Sequence, residues 1–213
     1  MDDRWARLVF ATTVAVVVAG IAIAVVVAAQ AATPGHFHGA ARALNVFAFF
    51  TVWSNVVVGV TTALLAVDLD RGSTAFATLR LIGVAAIAVT GVVYHLFLAA
   101  PLQGWLAVSD QLLHTVTPIL AVGGWLLFGP RGRVSPRVVW LSMLFPLTWF
   151  ALTLLRGAAI HWYPYAFIDV TTKGYAKAVT NALFVGLLFL GAAAGASALD
   201  PRLARRAEQG ADG

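Results

Sequence analysis

Six apolar stretches of roughly 18 to 25 residues each run through this chain, the length an α-helix needs to cross about 30 Å of hydrocarbon. They fall near 8-32, 44-67, 79-99, 106-128, 138-158 and 178-199. Arg4 and Arg7 precede the first, as in a signal peptide, but its apolar run far exceeds the roughly 7 to 15 residues of a signal sequence, so it reads as a span. With 61% hydrophobic residues, 11% charged and a mean hydropathy of +0.87, too few charges remain to clothe a soluble globule. The expected architecture is all-α: a polytopic six-helix transmembrane bundle forming one domain over 1-199, followed by a tail, 200-213, expected to be frayed and disordered. No internal repeat or heptad pattern divides it further.

The connections between the stretches fix an expected orientation. Ten of the 14 Lys and Arg precede the first stretch, join the second to the third and the fourth to the fifth, or lie in the tail; Arg71 and Arg80 are the pair assigned to the second-to-third connection. Arg42, Arg156, Lys173 and Lys177 belong to the other side. Cytoplasmic loops carry the excess of basic residues, so both termini are expected in the cytoplasm. Runs of Ala, Val and Gly suit a high-GC bacterium, which makes a bacterial cytoplasmic membrane the expected location. The net charge of +5 is spread over short connections rather than gathered in a stripe, which argues against nucleic-acid binding. Cysteine is absent, excluding disulfides, thiolate nucleophiles and cysteine-ligated metals.

Against this background the segment Ser109 to Pro118, SDQLLHTVTP, stands out. It puts an acid, an amide, an imidazole and two threonine hydroxyls into a span. On a regular helix Asp110, His114 and Thr117 share one face. Ionisable groups in hydrocarbon are costly and turn toward a bundle interior or a wet cavity, so this face is the candidate site. Span two carries Thr51 and Asn55 one turn apart, with Ser54 beside them. Spans two and four run in the same direction, and Thr51 and His114 lie about seven and eight residues into them, roughly 10 to 12 Å below the outer boundary. Tyr94, His95 and Arg156 also fall in the outer half, and the inner half reads as almost uniformly apolar. That pattern predicts a crevice closed at its inner end rather than a pore. The outer segment Ile160 to Lys177, rich in aromatic residues, is either an interfacial belt at headgroup level or a lid.

A threonine hydroxyl needs a base to become a nucleophile, and His114 within hydrogen-bond reach of Thr51 is the expected base. Asp110, one turn away, would orient the imidazole, Asn55 would donate to a developing oxyanion, and Arg156 would hold an anionic group of the substrate. His95 is a further supporting candidate. No His-x₃-His or Glu-rich pair lies on one span, so no metal site is expected.

The pair FFTVWSN and SDQLLHTVTPIL resembles the motifs of the androgen-induced and androgen-dependent intramembrane threonine hydrolases and their bacterial six-span relatives. That resemblance implies a catalytic threonine at Thr51, followed by Val52 and Trp53, and a catalytic histidine at His114, followed by Thr115. It further implies fatty-acid esters of hydroxy fatty acids as substrates. WYPYAFIDV, Trp162 to Val170, is similar to the aromatic Tyr-Pro segment of that family. Asn55 stands one position later than in the family, and Asp110-Gln111 replaces its Asn-His.

The leading expectation is therefore a membrane hydrolase of lipid-like esters, requiring no cofactor, with Trp53, Tyr163 and Tyr165 contacting a lipid substrate drawn from the bilayer. A second is a non-catalytic protein that binds or transports an acidic or amphipathic small molecule on Arg156. A third is a b-type haem protein with His95 and His114 as axial ligands.

Overall fold

The computed structural model describes residues 3–32 and 35–209, apart from the Glu208 side chain. Among the described residues every regular element is helical. The helices are α1 (Asp3–Gln30), α2 (Gly39–Asn45), α3 (Phe50–Val67), α4 (Thr74–Val93), α5 (Gly104–Gln111), α6 (Thr117–Phe128), α7 (Pro136–Ser142), α8 (Leu144–Ile160) and α9 (Val170–Gln209). A π-helical turn, Tyr94–Leu98, extends α4, and a second, Leu112–Val116, joins α5 to α6. Six helical stretches are long and apolar enough to cross a membrane: Asp3–Gln30, Phe50–Val67, Thr74–Leu98, Gly104–Phe128, Pro136–Ile160 and Val170–Ala207. This is the architecture of an integral membrane protein, with leucine and phenylalanine side chains such as Leu155, Leu183 and Phe184 turned outward where lipid replaces water.

The α4 span is the hub, 61% buried where no other span exceeds 44%. Its Ala-rich face, with Ala77, Ala85 and Ala86, packs with Trp125 of α6, Val138 and Val139 of α7, and Phe189, Ala193 and Ala196 of α9. Ser73 caps it, accepting from the Phe76 amide at 3.1 Å, so the helix starts at Thr74 instead of the expected Leu79. That earlier start corrects the assignment of Arg80. The residue lies within the span, 2% exposed, its guanidinium over the Phe10 ring at 5.5 Å. The half of the bundle expected to be the inner one is therefore not uniformly apolar.

Two other arginines close helix ends, where terminal carbonyls lack partners within the helix. Arg7 donates to Ala66 O and Val67 O, both at 2.7 Å, at the end of α3. Arg131 donates to Trp125 O at 2.5 Å, and also to Leu126 O, at the end of α6. The region expected to be a frayed tail is helical through Gln209, while residues 210–213 lie outside the described set. Asp200 explains part of this order. Its buried carboxylate accepts from the amides of Arg133 at 2.6 Å and Val134 at 2.8 Å, strapping the connection between α6 and α7 to α9. Asp3, Asp70, Arg131 and Arg206 line one crevice, so both described chain ends meet at the same end of the bundle.

Span two also differs from a single helix running from residue 44. Its chain breaks at Phe49, which is extended (φ −79°, ψ 135°), between a 3₁₀ turn and α3. The break survives because carbonyls released there find indole donors: Trp53 Nε1–H donates to Phe47 O at 2.7 Å and Trp149 Nε1–H to Ala48 O at 3.2 Å. Thr51 therefore stands in the first turn of α3 rather than seven residues along a continuous helix.

Candidate active site

His114 sits in the π-helical turn between α5 and α6. Pro118, four residues on, has no amide proton for the His114 carbonyl and its ring crowds that position, which disfavours a regular α-turn here. The longer spacing appears in Thr117, whose hydroxyl donates to Leu112 O, five residues back, at 2.8 Å. Thr117 is fully buried, with its hydroxyl committed to that carbonyl. Gly91 of α4 lies against this turn: a Cβ there would meet Pro118 Cβ at 3.2 Å and His114 O at 3.4 Å. The close approach brings Tyr94, in the next turn, onto the imidazole.

Thr51 and His114 are in contact, with Thr51 Oγ1 3.3 Å from His114 Nε2. His114 Nδ1 faces Asp110 twice, at 3.1 Å from carboxylate Oδ1 and 3.1 Å from the backbone O. Both are acceptors, so the ring proton belongs on Nδ1 and the Nε2 lone pair points at Thr51. Tyr94 donates its hydroxyl to the other oxygen of Asp110, and its ring stacks on His114. On the other side of the threonine, Tyr165 OH lies 3.3 Å from Thr51 Oγ1 and accepts from the Thr51 amide at 3.3 Å. Tyr165 is set by the rings of Phe49, Trp149 and Phe167, at centroid distances of 5.4, 6.0 and 5.3 Å. Burial pushes its phenol above the ordinary tyrosine range, keeping it protonated at neutral pH.

Thr51, His114, Tyr94 and Tyr165 line one cavity of about 240 Å³. Its remaining walls are mostly apolar, from Phe50, Val89, Phe150 and the α9 residues Ala182, Leu183 and Phe189. Exposed Leu147 of α8 and Leu183 and Leu187 of α9 flank it on the lateral surface.

The other expected residues are placed differently. Asn55 is fully buried behind Thr51, and its amide donates to Thr51 O at 2.8 Å and Leu113 O at 3.2 Å. The first bond stays within α3, the second ties α3 to the π turn, and together they use both amide protons, so the oxyanion role expected of Asn55 does not fit its geometry. His95 is exposed beyond Tyr94, with Nε2 3.1 Å from Thr115 Oγ1. Axial ligation by the His95 and His114 pair finds no support here, since both nitrogens of His114 face protein atoms and its ring is covered by Tyr94. Arg156 donates to Asn45 Oδ1 at 2.6 Å and lies over the rings of Phe37 and Trp162. With Trp53 it lines a separate groove of about 590 Å³, divided from the Thr51 cavity by Trp149, which lines both. Tyr163 packs on Gly157, where a Cβ would meet its ring at 2.2 Å, and serves the loop rather than the cavity.

Sequence reasoning passed over Tyr94 as a site member, although its position beside His95 near the end of a span was visible. Among the described residues no cluster of three or more His, Asp or Glu side chains forms a metal site. No family model matches this chain, and no curated protein or solved structure shows significant similarity to it.

Proposed function

We propose that this protein is an intramembrane hydrolase of lipid-like esters, with Thr51 as nucleophile, His114 as general base and Asp110 as the group that orients the imidazole. The observation that carries the reading is the contact between Thr51 Oγ1 and His114 Nε2 at 3.3 Å, with Asp110 on the far nitrogen, at the wall of an apolar cavity. A nucleophile, a base within reach and a third group holding the base are the parts that acyl transfer needs. The resemblance of the Thr51 and His114 segments to the intramembrane threonine hydrolases points the same way.

In this mechanism His114 Nε2 takes the Thr51 proton as the oxygen attacks the ester carbonyl. The imidazolium, held by Asp110, then returns that proton to the departing alcohol. Water enters the acyl-enzyme, loses its proton to the same nitrogen, and releases the carboxylic acid while regenerating Thr51. The lining selects a long apolar acyl group, which reaches the site sideways from the bilayer. With both termini in the cytoplasm, as the arginine-rich ends favour, the site serves the outer leaflet of a bacterial cytoplasmic membrane.

A second reading rests on the other groove. Arg156 at one end of an apolar trough suits an acidic amphipath bound without chemistry. A long-chain fluorophosphonate separates the two. Covalent labelling of the wild type, abolished in Thr51→Ala and His114→Ala and retained in Arg156→Ala, is expected of the hydrolase. Labelling that survives Thr51→Ala removes Thr51 as the nucleophile.

A further inference from the structure

An acyl-transfer site must supply a donor for the oxyanion that forms when the nucleophile attacks, and with Asn55 committed to two carbonyls that donor has to be found elsewhere. The polar groups bordering the Thr51 cavity can be taken in turn. The Thr90 hydroxyl donates to Ser54 Oγ at 3.5 Å, Tyr94 donates to Asp110, and the Trp149 indole donates to Ala48 O. His114 presents a lone pair to Thr51. What remains is Tyr165, whose oxygen accepts from the Thr51 amide at the start of α3.

We propose that the Tyr165 hydroxyl, held by the Thr51 amide, is the oxyanion donor of this site. The inference rests on the hydrolase reading above. The Thr51 amide takes one lone pair of the phenol and the Thr51 hydroxyl proton is committed to His114 Nε2, so the phenol proton points toward Thr51 Oγ1 3.3 Å off and toward any carbonyl under attack there. Amides donating to a hydroxyl also polarise it, making it a better donor. The start of an 18-residue helix adds positive potential where negative charge develops.

In the step itself, Thr51 Oγ forms a bond to the carbonyl carbon and the carbonyl π pair moves onto oxygen, which accepts from Tyr165 O–H. When the C=O bond re-forms, the alcohol C–O bond breaks and His114 protonates the leaving oxygen. Tyr165 keeps its proton throughout.

The test compares the full-length wild type with Tyr165→Phe in lipid nanodiscs. It measures turnover of a p-nitrophenyl ester, affinity for an alkyl trifluoromethyl ketone, which forms a tetrahedral adduct with the nucleophile, and affinity for the N-alkyl amide of equal length. Loss of one oxyanion donor is expected to lower kcat about 10² to 10³-fold. KM should hardly change, ketone affinity should fall by a comparable factor, and amide affinity should hold. Unchanged ketone affinity and kcat overturn the assignment while leaving Thr51 as nucleophile. Parallel loss of ketone and amide binding also overturns it, by making Tyr165 a structural or ground-state contact. A wild type that neither turns over ester nor is labelled at Thr51 overturns the hydrolase reading and this inference together.

Discussion

The ring of Tyr94 lies on that of His114, centroids 4.0 Å apart and planes 19° from parallel, while its hydroxyl donates to the carboxylate that faces His114 Nδ1. One side chain thereby fixes both the imidazole plane and its charged partner.

Tyr94→Phe keeps the stack and loses only the bond to Asp110. A hydrogen bond to a charged group is worth about 1.5 to 3 kcal/mol, so turnover should fall by about 10- to 150-fold. Asp110→Asn should cost more than Tyr94→Phe but less than His114→Ala, which removes a proton transfer worth about 10² to 10⁴ in rate. In a double-mutant cycle the tyrosine effect should vanish in the Asp110→Asn background, because it acts through that carboxylate. Additive losses would show that Tyr94 reaches the chemistry by another route.

Asn55→Ala separates a tether from an oxyanion donor. One buried bond joins α3 to the π turn through this amide and a second stays within α3, and losing them should lower stability by about 1 to 3 kcal/mol. Activity should fall with stability, and lowering the temperature should recover part of it. Thermal unfolding in detergent, followed beside turnover, reads both. A large loss of kcat with unchanged stability would return Asn55 to the chemistry.

The spans were legible because lipid demands long apolar helices whatever their partners. Thr51 and His114 were legible because polar groups in such helices have to face inward. The Phe49 break was not legible, since FAFF holds no glycine or proline. It depends on indoles from Trp53 and Trp149, and the second of these is 101 residues away from its acceptor Ala48. The π turn at His114 had a visible cause in Pro118, but the approach of Gly91 of α4 against that turn did not. Arg156 and Thr51 share the same end of the bundle, a placement that the sequence reads as one crevice. Trp149 stands between them, and no spacing along the chain could reveal that wall.

Sidedness can be measured directly because the native chain has no cysteine. Gly104 and Gly132 are poor labelling positions, having φ of +61° and +65° that a side chain would strain. Exposed Gln103 and Asp70, on opposite ends of the bundle, are better. Gln103→Cys is expected to react with an impermeant maleimide on intact cells, and Asp70→Cys only after permeabilisation. The reverse result would place the Thr51 cavity in the inner leaflet.

Arg80 poses the sharpest question about stability. Its guanidinium is buried in a span, and none of its three nitrogens has a hydrogen-bond partner among the described residues. Arginine does not shed its proton, so the charge stays. At mid-span such a charge costs on the order of 2.5 to 3.5 kcal/mol on insertion scales, an upper bound for Arg80, which lies in the second turn of its span. The Phe10 ring, 5.5 Å from the guanidinium carbon, offsets about 0.5 to 2 kcal/mol of that. Arg80→Met keeps a long unbranched side chain and removes the charge, so it should stabilise the detergent-solubilised protein by about 1 to 2 kcal/mol. Arg80→Lys should not, since it keeps the charge but replaces the planar, weakly hydrated group that rests on the ring. Thermal unfolding of the three proteins under identical lipid and salt conditions decides the matter. If Arg80→Met is instead less stable, and the gap widens as chloride or anionic lipid is added, the guanidinium has a counter-anion and the lone-charge account fails.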